Sequence, residues 1–288
     1  MRPPEGGDKG PETALFLMVS AGCAGPDRLW HRGPPARCGD ALMSEDPNTD
    51  GPVPAAPGGP RRDPDTGQMA SFHGRRVGKP LRPLQAAAHE RLIARYRLDL
   101  PALADPHALF PRPVDALALE IGFGGGEHLV HAAGEKPDWG FLGVEPFLNG
   151  MTRALMDLEA AGRDNVRVFD DDAALVLARL PEGCLDRVDL FYPDPWPKRR
   201  HWKRRFVRAE NLDLITRALR PGGLFRFASD VPDYVDWTLR EVTTHGALTW
   251  TAARADDWRT PYDGWPGTRY EAKALAAGRV GTYLGFRR

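Results

Sequence analysis

From Ala116 onward, short apolar runs alternate with segments of helical periodicity, and few folds accommodate that alternation. A strand followed by a crossover helix feeds the next strand parallel to the first. Repetition builds a doubly wound, mostly parallel sheet with helices on both faces. The expected strands are 116–121, 140–144, 166–169, 187–192 and 224–228, with helices at 127–135, 149–161 and 173–180. Phe206, Ala209, Leu212, Ile215 and Leu219 share one helical face, and Arg220-Pro221-Gly222-Gly223 reads as its stop. Val231, Val235, Leu239 and Val242 mark another helix, and 248–252 with 282–287 reads as a closing β pair. A basic arm, Ser71-Phe72-His73-Gly74-Arg75-Arg76-Val77-Gly78-Lys79, precedes a helix expected over 83–96. No internal repeat or second folded domain is visible.

The first 68 residues are different. They hold 12 prolines and 11 glycines with little apolar periodicity, a composition that buries too little surface to offset chain entropy. Residues 1–68 are therefore expected to be a disordered extension and 69–288 the folded domain. The run Ala14-Leu15-Phe16-Leu17-Met18-Val19 before Cys23 resembles a signal peptide, but Glu5, Asp8 and Glu12 spoil the basic leader. An overextended start, with Met43 or Met69 as the first residue, is the preferred explanation. Cys23, Cys38 and Cys184 make neither a disulfide framework nor a metal site, which fits a reducing cytoplasm. The 39 basic and 39 acidic side chains cancel, so only the distribution of charge can speak of a polyanionic partner.

Two segments carry chemistry. In the first, Glu120-Ile121-Gly122-Phe123-Gly124-Gly125-Gly126-Glu127 follows a strand and opens a helix. Gly122 and Gly124 let the backbone turn and approach a ligand, beside the free N–H groups of a helix N-terminus. Glu145 ends the next strand, where an acidic side chain accepts the hydroxyls of an adenosine ribose. A nicotinamide cofactor and S-adenosylmethionine both carry that ribose. The tight glycine spacing, and Glu120, which would repel a diphosphate yet suit a methionine ammonium, favour the second. Asp172, closing Asp170-Asp171-Asp172, either meets an adenine amino group or caps the following helix.

In the second segment, an apolar strand ends in Tyr192-Pro193-Asp194-Pro195-Trp196-Pro197. Six cations then follow within eight residues: Lys198, Arg199, Arg200, Lys203, Arg204 and Arg205. One carboxylate beside a dense cationic surface suits chemistry on a polyanion.

The run Pro193 to Lys198, with Arg200-His201 and Lys203-Arg204-Arg205, closely resembles the bacterial tRNA (guanine-N7-)-methyltransferases. The resemblance extends over 119–126, 143–145, 172–177, Ser229-Asp230 and Thr268-Arg269-Tyr270-Glu271, and to the arm Arg75-Arg76-Val77-Gly78-Lys79. It covers about residues 70–288 in order. It implies a Rossmann-like α/β fold with an antiparallel C-terminal strand, S-adenosyl-L-methionine as donor, and methylation of the variable-loop guanine at tRNA position 46. By the same resemblance, Glu120, Glu145, Asp172 and Asp194 contact the donor, while Lys198, Asp230, Thr268, Arg269, Tyr270 and Glu271 contact the substrate. Trp202 stands where the family usually has a polar residue, and Arg269 and Tyr270 replace a lysine and a phenylalanine.

Guanine N7 carries an in-plane lone pair and no proton, so an attacking base is not required. Asp194 is expected to act electrostatically on the purine as cationic charge develops there. Arg199, Arg200, Lys203, Arg204 and Arg205 are expected to hold phosphates, with Trp196 and Trp202 available for base stacking. Trp258, Tyr262 and Trp265 read as a lid or as ordinary packing, and no membrane or obligate protein partner is indicated. Competing readings are a methyltransferase acting on an exocyclic amine, a catalytically silent RNA-binding scaffold and, more remotely, a nicotinamide dehydrogenase.

Overall fold

The computed structural model describes residues 62–69 and 72–288. The readings of Ala14–Val19, Cys23, Cys38 and Met43 lie outside the described residues.

Strands β1 (Ala116–Ile121), β2 (Trp139–Val144), β3 (Val166–Phe169), β4 (Leu185–Phe191) and β5 (Leu219–Ser229) run parallel. β7 (Thr282–Arg287) is inserted antiparallel between β5 and the short β6 (Thr249–Trp250). The order across the sheet is β3-β2-β1-β4-β5-β7-β6. The expected α/β architecture with one antiparallel C-terminal strand is the observed one.

Two helical layers cover the sheet, and side-chain parity decides which residue meets which layer. Leu117, Leu119 and Ile121 pack with α4 (Ala173–Arg179), α5 (Ala209–Ala218) and α6 (Pro232–His245). Ala118 points the other way, to α1 (Pro83–Tyr96), α2 (Glu127–Glu135) and α3 (Leu148–Ala160). All six β1 residues are buried, which is why that strand reads as an apolar run rather than an alternation.

The start of β5 departs from expectation. Leu219 keeps the helical spacing, yet α5 ends at Ala218 and Leu219 pairs with Leu185 across a register irregularity. Arg220 Nε donates to Asp186 there at 2.6 Å, tying the Pro-Gly-Gly segment to β4. Phe206 lies before the helix, its N–H donating to Tyr234 Oη at 3.0 Å. At the N-terminal end, Arg62 bridges Met69, and Asp63 is ion-paired to Arg179 at 2.8 Å.

The sheet interior carries a charged row. Glu120, Asp189 and Arg226 are register partners on β1, β4 and β5. Asp189 is 1% exposed and accepts from Arg226 Nε at 2.7 Å and from Arg187 Nε at 2.8 Å. Burial pushes its carboxyl upward, but Arg187 and Arg226 outweigh that and hold it well below the usual carboxylate range. The stabilisation is present above pH ~4 and is lost as pH falls toward the depressed value. Replacing Asp189 with Ala leaves two guanidinium groups without their carboxylate inside the sheet. It should lower unfolding free energy by about 3–5 kcal/mol in urea titrations at pH 7; a loss under 1 kcal/mol would refute the role given to this row.

Candidate active site

The strand order reverses between β1 and β4, and ligands in such sheets bind beyond the carboxyl ends of the strands at that point. A cavity of about 330 Å³ lies there, lined in part by Gly122, Glu145, Asp172, Asp194, Trp196 and Arg204. Residues separated by more than 80 positions thus meet in one space. S-adenosylmethionine is the group this cavity has to fit.

The floor is the glycine loop. Gly122, Gly124 and Gly126 have φ of +70°, +59° and +82°, a region that side chains with a Cβ disfavour. A Cβ on Gly122 would meet nothing within 4 Å, so the loop is open on the cavity side. Gly124 is closed in, since a Cβ there would lie 3.0 Å from the Tyr270 ring and 3.2 Å from Arg269.

Glu145 follows β2 and is 7% exposed. Its carboxylate accepts from Gly124 N–H at 2.7 Å and from Phe147 N–H at 2.8 Å. Burial pushes its pKa up to about 7 in spite of those two donors. A buried carboxylate with lone pairs left over is the acceptor that a vicinal diol needs, so the residues present fit the donor's ribose.

Asp172 meets both of its expectations halfway. It lines the cavity, and it is also the cap of α4, Oδ1 accepting from Ala174 N–H at 2.8 Å. Its Oδ2 accepts from Phe72 N–H, so the basic arm is drawn over the site. Arg76 pairs with Asp171, Gly78 N–H donates to Asn149, and Asn149 donates back to Lys79 O. Phe72, His73, Gly74 and Arg75 thereby form one wall of the cavity. Burial, with Arg204 and Arg208 next in effect, pulls the His73 imidazole below its ordinary value, so the ring is neutral at pH 7. A Cβ on Gly74 would lie 3.3 Å from Asp194 Oδ2, so the arm passes close over that carboxylate. The arm was visible in sequence as a basic segment; nothing local announced it as a wall.

Asp194 sits at the rim, open to solvent on one side and to the cavity on the other. Desolvation by the walls raises its carboxyl above the ordinary range, and it makes no hydrogen bond among the described residues. Two non-glycine residues with left-handed backbone flank it, Tyr192 at φ +48° and Trp196 at φ +43°. Such conformations cost on the order of 1–3 kcal/mol each and persist only where neighbours over-determine them.

The basic run divides. Residues 199–204 form a 3-10 helix, with Lys198, Arg199, Arg200 and Lys203 exposed. The Arg204 guanidinium stacks over Trp196, 5.0 Å from the ring centroid, and lines the cavity. Arg205 does not reach solvent, at 1% exposure. Its Nε donates to Pro195 O at 3.0 Å, it is ion-paired to Asp233, and Trp202, Tyr234 and Trp237 surround it within 5.2 Å. The expectation that Arg205 grips a phosphate is corrected: every face of its guanidinium is used inside the protein. Trp202 packs on Arg205 and against Trp237, ring centroids 5.5 Å apart, so of the two tryptophans expected to stack on bases Trp196 alone lines the cavity.

Several expected contacts point elsewhere. Glu120 does not line the cavity; its Oε2 lies 2.7 Å from His128 Nδ1. Asp230 neither lines the cavity nor caps α6; it accepts from Arg279 Nε at 2.6 Å. Lys198 stands outside the lining as well. After the short α7 (Asp256–Arg259), Thr268 caps α8 (Arg269–Ala276), accepting from Glu271 N–H at 3.1 Å. Arg269 approaches Glu127 at 3.8 Å, Tyr270 enters the cavity, and Glu271 is 7% exposed. Tyr262 is pinned between β5 and β7, its single hydroxyl proton shared between Phe227 O and Leu284 O, each 2.9 Å away, and is packing rather than lid.

Comparison with known proteins gives the family. A family model described as "Putative methyltransferase" matches residues 115–283. The tRNA (guanine-N(7)-)-methyltransferase of Azorhizobium caulinodans is 66% identical over 224 residues, covering 78% of this chain and 97% of that protein. The chain belongs to the tRNA (guanine-N(7)-)-methyltransferase family. Members from Rhizobium meliloti and Brucella melitensis are 58% and 55% identical, spanning 76% and 75% of this chain and 95% and 94% of their own lengths.

Within this methyltransferase, Arg204 and Arg205 should separate cleanly on substitution. Arg205→Ala removes a fully enclosed side chain and should cost about 2–5 kcal/mol of unfolding free energy. Arg204→Ala should stay within about 1 kcal/mol. Chemical denaturation of the two variants checks this, and equal losses would contradict the burial pattern.

Proposed function

We propose that this enzyme moves the methyl group of S-adenosylmethionine to N7 of guanine in tRNA, at the variable-loop position 46. The observation that carries the reading is one cavity, at the switch point of a methyltransferase sheet, holding Asp194, Glu145, Trp196 and Arg204 together. When bound, the donor supplies a methyl group made electrophilic by the sulfonium. The chain's part is to bind, orient and exclude water.

Glu145 is the proposed acceptor for the ribose hydroxyls, and the open side of Gly122 admits the donor backbone. Asp172 is proposed to border the adenine, its carboxylate already oriented by Phe72 and Ala174. Asp194 is proposed to face the guanine edge, where its negative charge stabilises the purine as it becomes cationic. Trp196, held under Arg204, offers a face for stacking. Exposed Lys198, Arg199, Arg200 and Lys203 are proposed to bind phosphates, and Tyr270 to close the cavity beside the glycine loop. The catalytic unit so read is residues 69–288. The location we propose from an acceptor of this kind is the cytoplasm. Separately, among the described residues no helix is long and apolar enough to cross a membrane.

Incubation with unmodified tRNA and labelled donor, followed by nucleoside analysis, should yield 7-methylguanosine. Methyl groups on N2 or N6 with none on N7 would replace this reading with exocyclic amine chemistry. Asp194→Ala should reduce kcat by about 10²-fold or more while tRNA affinity changes little; retained turnover with lost binding would make Asp194 a recognition residue.

The raised pKa of Glu145 has a direct consequence. Only the ionised carboxylate can accept from both ribose hydroxyls while holding Gly124 and Phe147. Donor affinity should therefore weaken as pH falls below about 7, by up to roughly tenfold per pH unit. Glu145→Gln should bind weakly with a flat profile in calorimetry between pH 6 and 8. A wild-type profile that is flat, or that rises toward acid pH, would contradict ribose binding at Glu145.

A further inference from the structure

The resemblance assigns Glu271 to the substrate, but its carboxylate is occupied. Oε1 accepts from Tyr192 Oη at 3.2 Å and from the Tyr283 hydroxyl, and Oε2 accepts from Trp265 Nε1 at 2.7 Å. The residue is nearly enclosed, its helix is capped by Thr268, and it is absent from the cavity lining that its neighbour Tyr270 enters. Tyr192 is the other end of this contact. It is the first residue after β4, it holds φ at +48°, and only Pro193 separates it from Asp194. Two ties hold that backbone in place: its N–H donates to Ala228 O at 2.7 Å, and its phenol donates to Glu271. Burial, then Tyr283 and Glu271, keep the phenol well above its ordinary pKa, so it remains a donor at any working pH.

We infer that Glu271 is a positioning residue that acts through the Tyr192 hydroxyl to hold the strained turn carrying Asp194. The first turn of α8 then serves both halves of the site. Tyr270 and Arg269 abut the glycine loop at Gly124, and Glu271 fixes the turn opposite. A loosened Tyr192 would relax toward ordinary backbone angles and swing the Asp194 carboxylate away from the acceptor. A misplacement of about 1 Å is enough to cost on the order of 10²-fold in rate.

The inference rests on methyl transfer to tRNA guanine. Wild-type turnover in the same assay tests that reading separately, because its absence would overturn the activity and not the positioning. Tyr192→Phe keeps the ring and deletes the hydroxyl; Glu271→Gln keeps the shape and deletes the charge. Each should lower kcat by about 10- to 100-fold. KM for tRNA and Kd for S-adenosylmethionine should stay within about twofold, and the double variant should be no slower than the slower single one. A raised KM with kcat intact would make Glu271 a substrate contact. Unchanged kcat in Tyr192→Phe, or multiplying effects in the double variant, would also overturn the proposal. Should Glu271→Gln fail to fold, Tyr192→Phe decides by the same split between kcat and KM.

Discussion

Arg205 is the largest side chain in the described fold to be fully removed from water, and the geometry of the site follows from where its charge is satisfied. A guanidinium in such a place costs several kcal/mol of desolvation unless its donors and its faces are all used. Here the carbonyl of Pro195, the carboxylate and carbonyl of Asp233, and three aromatic rings use them. The consequence is mechanical. Pro195 immediately follows Asp194, so the far end of the acidic turn is bolted to α6. Tyr192 bolts the near end to β5 and α8. The two residues in left-handed backbone sit at these anchors, Tyr192 being one and Trp196 following Pro195, and the carboxylate they flank is held at the rim of the cavity.

The same segment shows how a run of like charges is sorted. In a 3-10 helix, side chains three apart share a face. Arg199, Trp202 and Arg205 are spaced by three, yet Arg199 stays in solvent with Lys198, Arg200 and Lys203, while Trp202 and Arg205, the residue just past the helix, turn inward. Composition makes the six cations equivalent; the aromatic lining of α6, with Trp202, makes one of them structural. A parallel division occurs beneath the glycine loop. Glu120 and Glu145 end neighbouring strands, yet Glu145 bonds the loop at the cavity whereas Glu120 is drawn to His128 and the charged row of the sheet. Their parity is the same, since Glu120 pairs with Gly143; the difference is depth, Glu120 lying within β1 and Glu145 just past the end of β2 at the glycine loop.

Much of this was readable in one dimension. Periodicity alone marks the strands of the doubly wound sheet, and glycines before a helix with an acid at the next strand end mark the donor side. Local spacing fails where a residue's partner is remote. Asp230 looks like a free acid after a strand until Arg279 is brought to it, 2.6 Å away. The arm at Phe72 looks like a basic tail until its backbone meets Asp172 across 100 positions. Leu219 satisfies a helical face and a strand start equally, and pairing with Leu185 decides for the strand.

Taken by itself, the amino-acid order determines the alternation of elements, the glycines that permit a tight loop, and the proximity of Asp194 to a cluster of cations. These are properties of neighbours along the chain, set by steric freedom, side-chain period and charge. Which cations face outward, which acids stay available, and what holds the turn at its unfavourable angles were decided only when distant segments packed. A buried charge must find its partners wherever the fold supplies them, and no local pattern records that choice.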